Sequence, residues 1–386
     1  MMTPVGCMHM GESHAQQLRR ALSMMLLQLL LPLMLSTASA DAISGAAWPR
    51  SVQPFFLSAL TRGDLTAADA QYLGRLPVAV INHKQGGTSG RAEDKQLQAL
   101  SQVKAANASC ATFFYLNSQI DFPALRLHDQ FVAANGSWWL RNGAGDFVLH
   151  GSDHIIDATV AAARRAWLAV AQHALSQPYI SGVFVDKAGG FWNDTWTAAH
   201  LQMLEALGAA AAAAKKQLIF NNAGMTGMAG QLFERWGENP DHDGLGVLQD
   251  MALLENATAA SNAGQLSLAR AGGVRPGSAP NGSAPDVCGA GLAAMLLAVA
   301  SPNAAFFACT PDFNSIDGWM ALDQDPIYQH YLDAPKGEAV AGKDGLVTRA
   351  FEGANVALNT TAIGAGRELN RGCVQWASGE TTGICP

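Results

Sequence analysis

Seven short runs of β-branched, aromatic and aliphatic residues recur along this chain, at 77–83, 111–117, 180–186, 217–222, 231–236, 265–271 and 304–310. Most are followed by a polar turn and then by helical spacing. Leu97, Leu100 and Val103 share one face of a segment after the first run. Residues 157–175, with Asp157 as N-cap, 197–216, ending in Lys215 and Lys216, 245–263 and 289–300 read as further helices. The runs are apolar on both faces, which requires a parallel sheet covered on both sides. Seven or eight such units suit a (β/α)8 TIM-type barrel, an α/β fold, with an open doubly wound sheet as the alternative. An eighth strand lies in 137–151, unless that segment is a hairpin. Only "AGMTGMAG" joins Asn222 to Gln231, whereas a parallel crossover normally takes a dozen residues or more. Residues 345–361 alternate around Glu352-Gly353 and read as a small C-terminal antiparallel β appendage.

The expected organisation is a signal peptide at 1–40, a lead-in at 41–76, the barrel at 77–325, and a hairpin with a disulfide-closed tail at 326–386. Arg19 and Arg20 precede an apolar run at 21–35, and Ala38-Ser39-Ala40 forms an A-x-A cleavage site. The run is shorter than the roughly 20 residues a bilayer requires. An uncleaved anchor is the competing reading. Six N-x-S/T sequons, at Asn107, Asn135, Asn193, Asn256, Asn281 and Asn359, agree with a secreted eukaryotic glycoprotein.

Of the 386 residues, 49% are apolar and 14% charged, with net charge −7 and no Lys/Arg block. That balance excludes a nucleic-acid partner. Removal of the signal also removes Cys7 and leaves Cys110, Cys288, Cys309, Cys373 and Cys385. Cys373 and Cys385 flank a Gly-rich tail and are expected to close it. In a barrel, Cys288 starts a helix and Cys309 ends the next strand on the same face, so the two can meet. Cys110 starts a strand on the opposite face and is expected to be buried and free. No C-x-x-C, H-E-x-x-H, P-loop or post-strand G-x-G-x-x-G occurs, so no cofactor is expected. "GGTSG" is one residue short of a nucleophile elbow, and in "DHDG" Leu245 replaces a calcium ligand.

Barrel sites form where the strands end. The strand ends here carry Asn82 and His83; Tyr115 and Asn117; Asp186 and Lys187; Asn221 and Asn222; Glu234 and Trp236; Arg270; and Thr310, with Asp312 just after. Asp186 and Glu234 end different strands. Glycoside cleavage needs two carboxylic groups facing each other across a sugar. Trp138, Trp139, Trp192 and Trp236 are candidate stacking surfaces, Glu238 competes with Glu234, and Asp312 is a third acid. Each of these acids also has a plain reading, as a solvated or ion-paired strand end.

"GVFVDKAGG", "LIFNNAG", "QLFERW" and the tail "YLDAPKGEAVAGKDGLVTRAFEGANVALN" resemble a family of glycoside hydrolase barrels found as uncharacterised extracellular proteins. Its pattern ends one strand G-[IV]-F-x-D, carries a Glu on a later strand, and closes with G-x-P-x-G and R-x-F-x-x-G-x-V-x-x-N. Here the latter two fall on Ala334–Gly337, without the first Gly, and on Arg349–Asn359, where Gly353 stands one residue before the pattern's Gly. The likeness covers roughly Pro77 to Thr361. It implies a TIM-type barrel hydrolysing a poly- or oligosaccharide with Asp186 and Glu234. Lys187 departs from it, and an ion pair with Asp186 would favour the ionised carboxylate. The rival expectations are a glycan-binding barrel without catalysis and a Golgi-resident type II membrane protein.

Overall fold

A computed structural model describes residues 48–61, 63–86, 91–189, 192–221, 230–234, 236, 246–259, 266–271, 287–300, 305–310, 319–360 and 372–386. Residues 1–40, Asn222, Asn281, Asp312, Glu238 and the "DHDG" turn lie outside them.

All seven predicted runs are strands of one parallel sheet. They are β2 (Val78–Ile81), β3 (Ala111–Asn117), β7 (Gly182–Asp186), β8 (Gln217–Asn221), β9 (Gly230–Phe233), β10 (Ser267–Ala271) and β11 (Ala305–Cys309). The eighth strand is β1 (Phe55–Ser58), and the order is β1-β2-β3-β7-β8-β9-β10-β11. The sheet is a nearly closed (β/α)8-type barrel. At its seam the Phe307 amide donates to the Gln53 carbonyl at 2.9 Å. The Tyr328 hydroxyl takes two more β11 edge groups, donating to the Phe307 carbonyl and accepting from the Cys309 amide at 3.2 Å each. Trp319 packs edge-on against Phe55 and Phe56. An edge left open by imperfect closure is thus satisfied and covered.

The segment read as a lead-in therefore holds the first β/α unit, and this corrects the expected barrel start at 77. Its helix α1 (Ala67–Arg75) begins with a capping box in which Thr66 and Asp69 exchange side-chain and backbone bonds. Helices α2 (Ala92–Ala106), α4 (Ala161–Leu175), α5 (Asp194–Ala213), α6 (Gly246–Ala259) and α7 (Val287–Ala298) follow in the crossovers. Among the described residues no helix lies between β8 and β9, which pair in register Ile219↔Gly230. Asp157 does not cap α4. Its carboxylate accepts from the Thr159 amide and hydroxyl instead. Asn193 caps α5 by accepting from the Trp196 amide at 2.9 Å.

Residues 137–151 are not a barrel strand. They belong to an excursion after β3 that contains β4 (Ile120–Asp121), α3 (Arg126–Ala133), β5 (Leu149–His150) and β6 (Asp153–Ile155), with sheet order β4-β6-β5. An Arg141↔Phe147 bridge makes 141–147 the hairpin of the alternative reading.

The C-terminal part is a five-stranded antiparallel sheet, β12 (Val340–Ala341), β13 (Leu346–Ala350), β14 (Ala354–Asn359), β15 (Gly372–Trp376) and β16 (Thr381–Gly383), in sequence order. It packs on α7. A Cβ on Gly289 would lie 2.2 Å from the Gly383 Cα, so only glycine allows this approach. Buried Arg349 reaches across and donates to the Leu296 and Val299 carbonyls near the end of α7. Disulfides join Cys288 to Cys309 and Cys373 to Cys385, and Cys110 is buried and free. No described helix is long and apolar enough to cross a membrane. Of the sequon asparagines, Asn135, Asn193 and Asn256 are exposed and Asn107 and Asn359 half-buried.

Candidate active site

Parallel strands carry their last residues to one mouth, and the register decides which of them meet. Asn117 lies opposite Asp186 across β3 and β7, and Asn221 lies opposite Leu232, two residues before Glu234. Tyr115 and Asn117, two apart on β3, share a face.

Four donors converge on the Asp186 carboxylate. Oδ2 accepts from the Tyr115 hydroxyl at 2.5 Å and from Asn117 Nδ2 at 3.1 Å. Oδ1 accepts from Asn221 Nδ2 at 2.7 Å and from the Lys187 amide at 2.8 Å. The second hydrogen of Asn221 Nδ2 goes to Glu234 Oε2 at 2.8 Å. Bonds of 2.7 and 2.8 Å sharing one nitrogen keep the two carboxyl oxygens at most 5.5 Å apart. The outward orientation of the Asn221 nitrogen follows from its partners, since both are carboxylates. Asn221 Oδ1 is buried with no hydrogen-bond partner. Burial, and then the Asp186 charge, hold the Tyr115 phenol well above its ordinary pKa, so it stays a donor.

A further set of side chains holds the turn after Asp186. Lys187 adopts φ +56°, a left-handed conformation costly for a residue with a Cβ. Ser118 Oγ donates to the Asp186 and Lys187 carbonyls at 3.1 and 2.8 Å. Gln119 Nε2 donates to the Lys187 and Gly189 carbonyls at 2.6 Å each. Fully buried His200, stacked on Trp196, lies 3.0 Å from Ser118 Oγ through Nε2. Burial lowers its pKa from 6.5 to about 4, so the ring is neutral. Because Ser118 gives its own proton to a carbonyl, Nε2–H is the donor in this pair. No ion pair joins Lys187 to Asp186 among the described residues. Lys187 serves Asp186 through its backbone amide instead.

His83 stacks flat on Phe122, with ring centroids 3.8 Å apart, beside Tyr115 at 5.2 Å. Burial, helped by Lys84, lowers its pKa to about 3. It is a neutral imidazole with a buried, unpartnered Nδ1. Arg270 stands behind Glu234, where its guanidinium donates to the Glu234 carbonyl and to the hydroxyl and carbonyl of Thr310.

Trp236 corrects the reading of a sugar platform. It is fully buried and donates to the Gly291 carbonyl at 2.7 Å, so no ring surface faces a ligand. Trp139 is likewise engaged within the excursion, donating to Asp121 and stacking on His154 at 3.9 Å. Trp138 packs edge-on against Phe131. Trp192 is 45% exposed. The structure thus brings together Tyr115, Asn117, Asp186, Asn221 and Glu234, with His83 and Lys187 alongside. Ser118, Gln119, Phe122 and His200 were not anticipated. Only the polar triplet Asn117-Ser118-Gln119 at a strand end signals them. Among the described residues no group of three or more His, Cys, Asp or Glu is placed to hold a metal ion.

No family model matches the chain, and no curated protein sequence matches it. Among solved structures it is similar to a noncanonic maltogenic α-amylase from Thermotoga neapolitana, at 10% identity over 80% of this chain and 86% of that one, with TM-score 0.44. An α-amylase from Lactobacillus plantarum gives 9% identity, coverages of 80% and 87%, and TM-score 0.45. The galactosidase domain of an α-galactosidase-sucrose kinase gives 10%, 86% and 51%, with TM-score 0.46, so this chain spans about half its length.

Proposed function

We propose that the chain is a retaining glycoside hydrolase acting on a poly- or oligosaccharide, with Asp186 and Glu234 as its carboxylate pair. The observation that carries the reading is the shared Asn221 amide. It keeps the two carboxyl oxygens within 5.5 Å, the separation of retaining enzymes and shorter than the roughly 6.5–9.5 Å of inverting ones. Asp186 accepts four hydrogen bonds, a surrounding suited to an acceptor-only carboxylate, and takes the role of nucleophile. Glu234, with one amide donor among the described residues, takes the role of acid and base.

In the first step Asp186 attacks the anomeric carbon. The glycosidic C–O bond breaks, and its electron pair leaves with the departing oxygen, which takes the Glu234 proton. In the second step Glu234 removes a proton from water, whose oxygen attacks the same carbon and frees Asp186. His83, beside Tyr115 at the mouth, is assigned to substrate hydroxyls. The disulfides, the sequons and the apolar N-terminal run support a secretory route with cleavage before Asp41.

The test is hydrolysis of a panel of aryl glycosides and polysaccharides, with the first-formed anomer read by NMR. Retention is expected. Asp186→Asn should lose about 10⁴-fold or more in turnover, and Glu234→Gln about 10²–10⁴-fold, the latter much less on substrates with an activated leaving group. Inversion, or full activity in either variant, overturns the reading.

A further inference from the structure

The outer face of the C-terminal sheet carries a cleft of about 490 Å³ made by elements other than the barrel strands. Lys336, Glu352, Asn355, Gln375, Glu380 and Thr381 contribute its polar lining. Register places three of them in a row: Asn355 on β14 lies opposite Gln375 on β15, which lies opposite Thr381 on β16. All three are exposed, while their strand neighbours Ala354, Val356, Val374 and Trp376 are buried. This is the alternation of a sheet with one face on a core. Adjacent strands lie about 4.8 Å apart, so the row spans roughly 10 Å.

Two properties of the cleft select its ligand. The row is uncharged and mixes donors with acceptors, two amides and a hydroxyl. Its charged groups are few and of both signs: Lys336 Nζ lies 3.8 Å from Glu352 Oε2, and Glu380 Oε2 lies 3.2 Å from His330 Nε2. An anion such as phosphate would meet the two glutamates, and a basic peptide would have to displace the lysine. A polyhydroxylated neutral chain needs neither ion. Its hydroxyls both donate and accept, as the row does. Behind the row, buried Trp376 stacks on His330 at 4.5 Å and donates to Thr382 Oγ1 at 2.8 Å.

We propose that this cleft binds a neutral polysaccharide chain without cleaving it. The inference rests on the cleft's own residues and stands apart from the chemistry assigned to the barrel. The experiment is native electrophoresis of the full chain through gels containing soluble starch, mixed-linkage β-glucan, xylan, galactomannan or pullulan, one polymer per gel. At least one polymer should retard the protein, equally at low and high salt, because no ion pair is used. Asn355→Ala/Gln375→Ala should weaken that retardation about tenfold, the effect of losing two hydrogen bonds. Thermal melts establish that each variant is folded. Retardation by none of the polymers, retardation abolished by salt, or retardation indifferent to the double substitution each overturns the proposal. A failed barrel assignment is read separately, as hydrolysis that survives in Asp186→Asn.

Discussion

The barrel mouth and the outer face of the C-terminal sheet both present polar side chains, and they hold them in opposite ways. At the mouth, Asp186 has four donors, and Asn117 Oδ1 takes the Gln119 and Ile120 amides while its Nδ2 holds Asp186. On the sheet, Gln375 reaches only the Cys385 sulfur, at 3.6 Å, among the described residues. Asn355 and Thr381 carry no side-chain hydrogen bond among the described residues. The mouth is preorganised, so its dipoles need not turn when charge develops on a substrate. The sheet row has few such partners among the described residues. Rigid polar clusters belong with bond making and breaking, loose ones with reversible contact.

The largest effects should come from the saturated cluster. Asn221→Ala removes the group that, among the described residues, bonds both carboxyl groups. About a 10²-fold fall in kcat is expected, with KM little changed, comparable to removing one preorganised donor elsewhere. Steady-state kinetics on a substrate found in the panel checks this, and an unchanged kcat would break the contrast between mouth and sheet. Tyr115→Phe removes one of four donors on Asp186 and should cost about tenfold, because a hydrogen bond to a charged group is worth roughly 1.5–3 kcal/mol and the other three donors remain.

Most of this cluster was legible in the sequence, because apolar strands that end on Tyr115, Asn117, Asp186 and Asn221 announce a polar rim. What was not legible is non-local or conformational. β1 is only Phe55–Ser58, follows Pro54, and is too short to show a period. Its place is decided by partners at Val78–Ile81 and by the seam with β11. Trp236 looked like part of the rim because the alternation of β9 was extended past Phe233, where the strand ends. Its indole turns instead toward α7, where Gly291 has no side chain to exclude it. The left-handed turn at Lys187 also gives no sequence sign, and it converts an apparent ion-pair partner into a backbone donor.

His200 links the clamp on that turn to pH. Its pKa is about 4 in the fold and 6.5 when unfolded. Between those values the unfolded chain binds the extra proton, so stability rises with pH there. The contribution is complete above pH 6.5 and lost as pH falls toward 4, amounting to roughly 3 kcal/mol for a fully buried ring. His83 acts in the same direction, with its pKa lowered to about 3. Urea unfolding above pH 6.5 and near pH 4 should therefore show a drop that His200→Phe, still stacked on Trp196, reduces. An equal drop in wild type and variant would remove His200 from the account.

The smallest effect should fall on the sheet row. Asn355→Ala and Gln375→Ala remove exposed side chains from strands whose inward residues Val356, Val374 and Trp376 are untouched. Backbone pairing between β14 and β15 does not involve those amides. Surface changes of this kind usually shift stability by less than about 0.5 kcal/mol. If the melting temperature is unmoved while retardation in polysaccharide gels falls, the row is held for binding and not for folding. If stability falls instead by more than about 1 kcal/mol, the amides take part in holding the sheet on α7. The loose polar face would then be a second rigid one, and the contrast with the mouth would close.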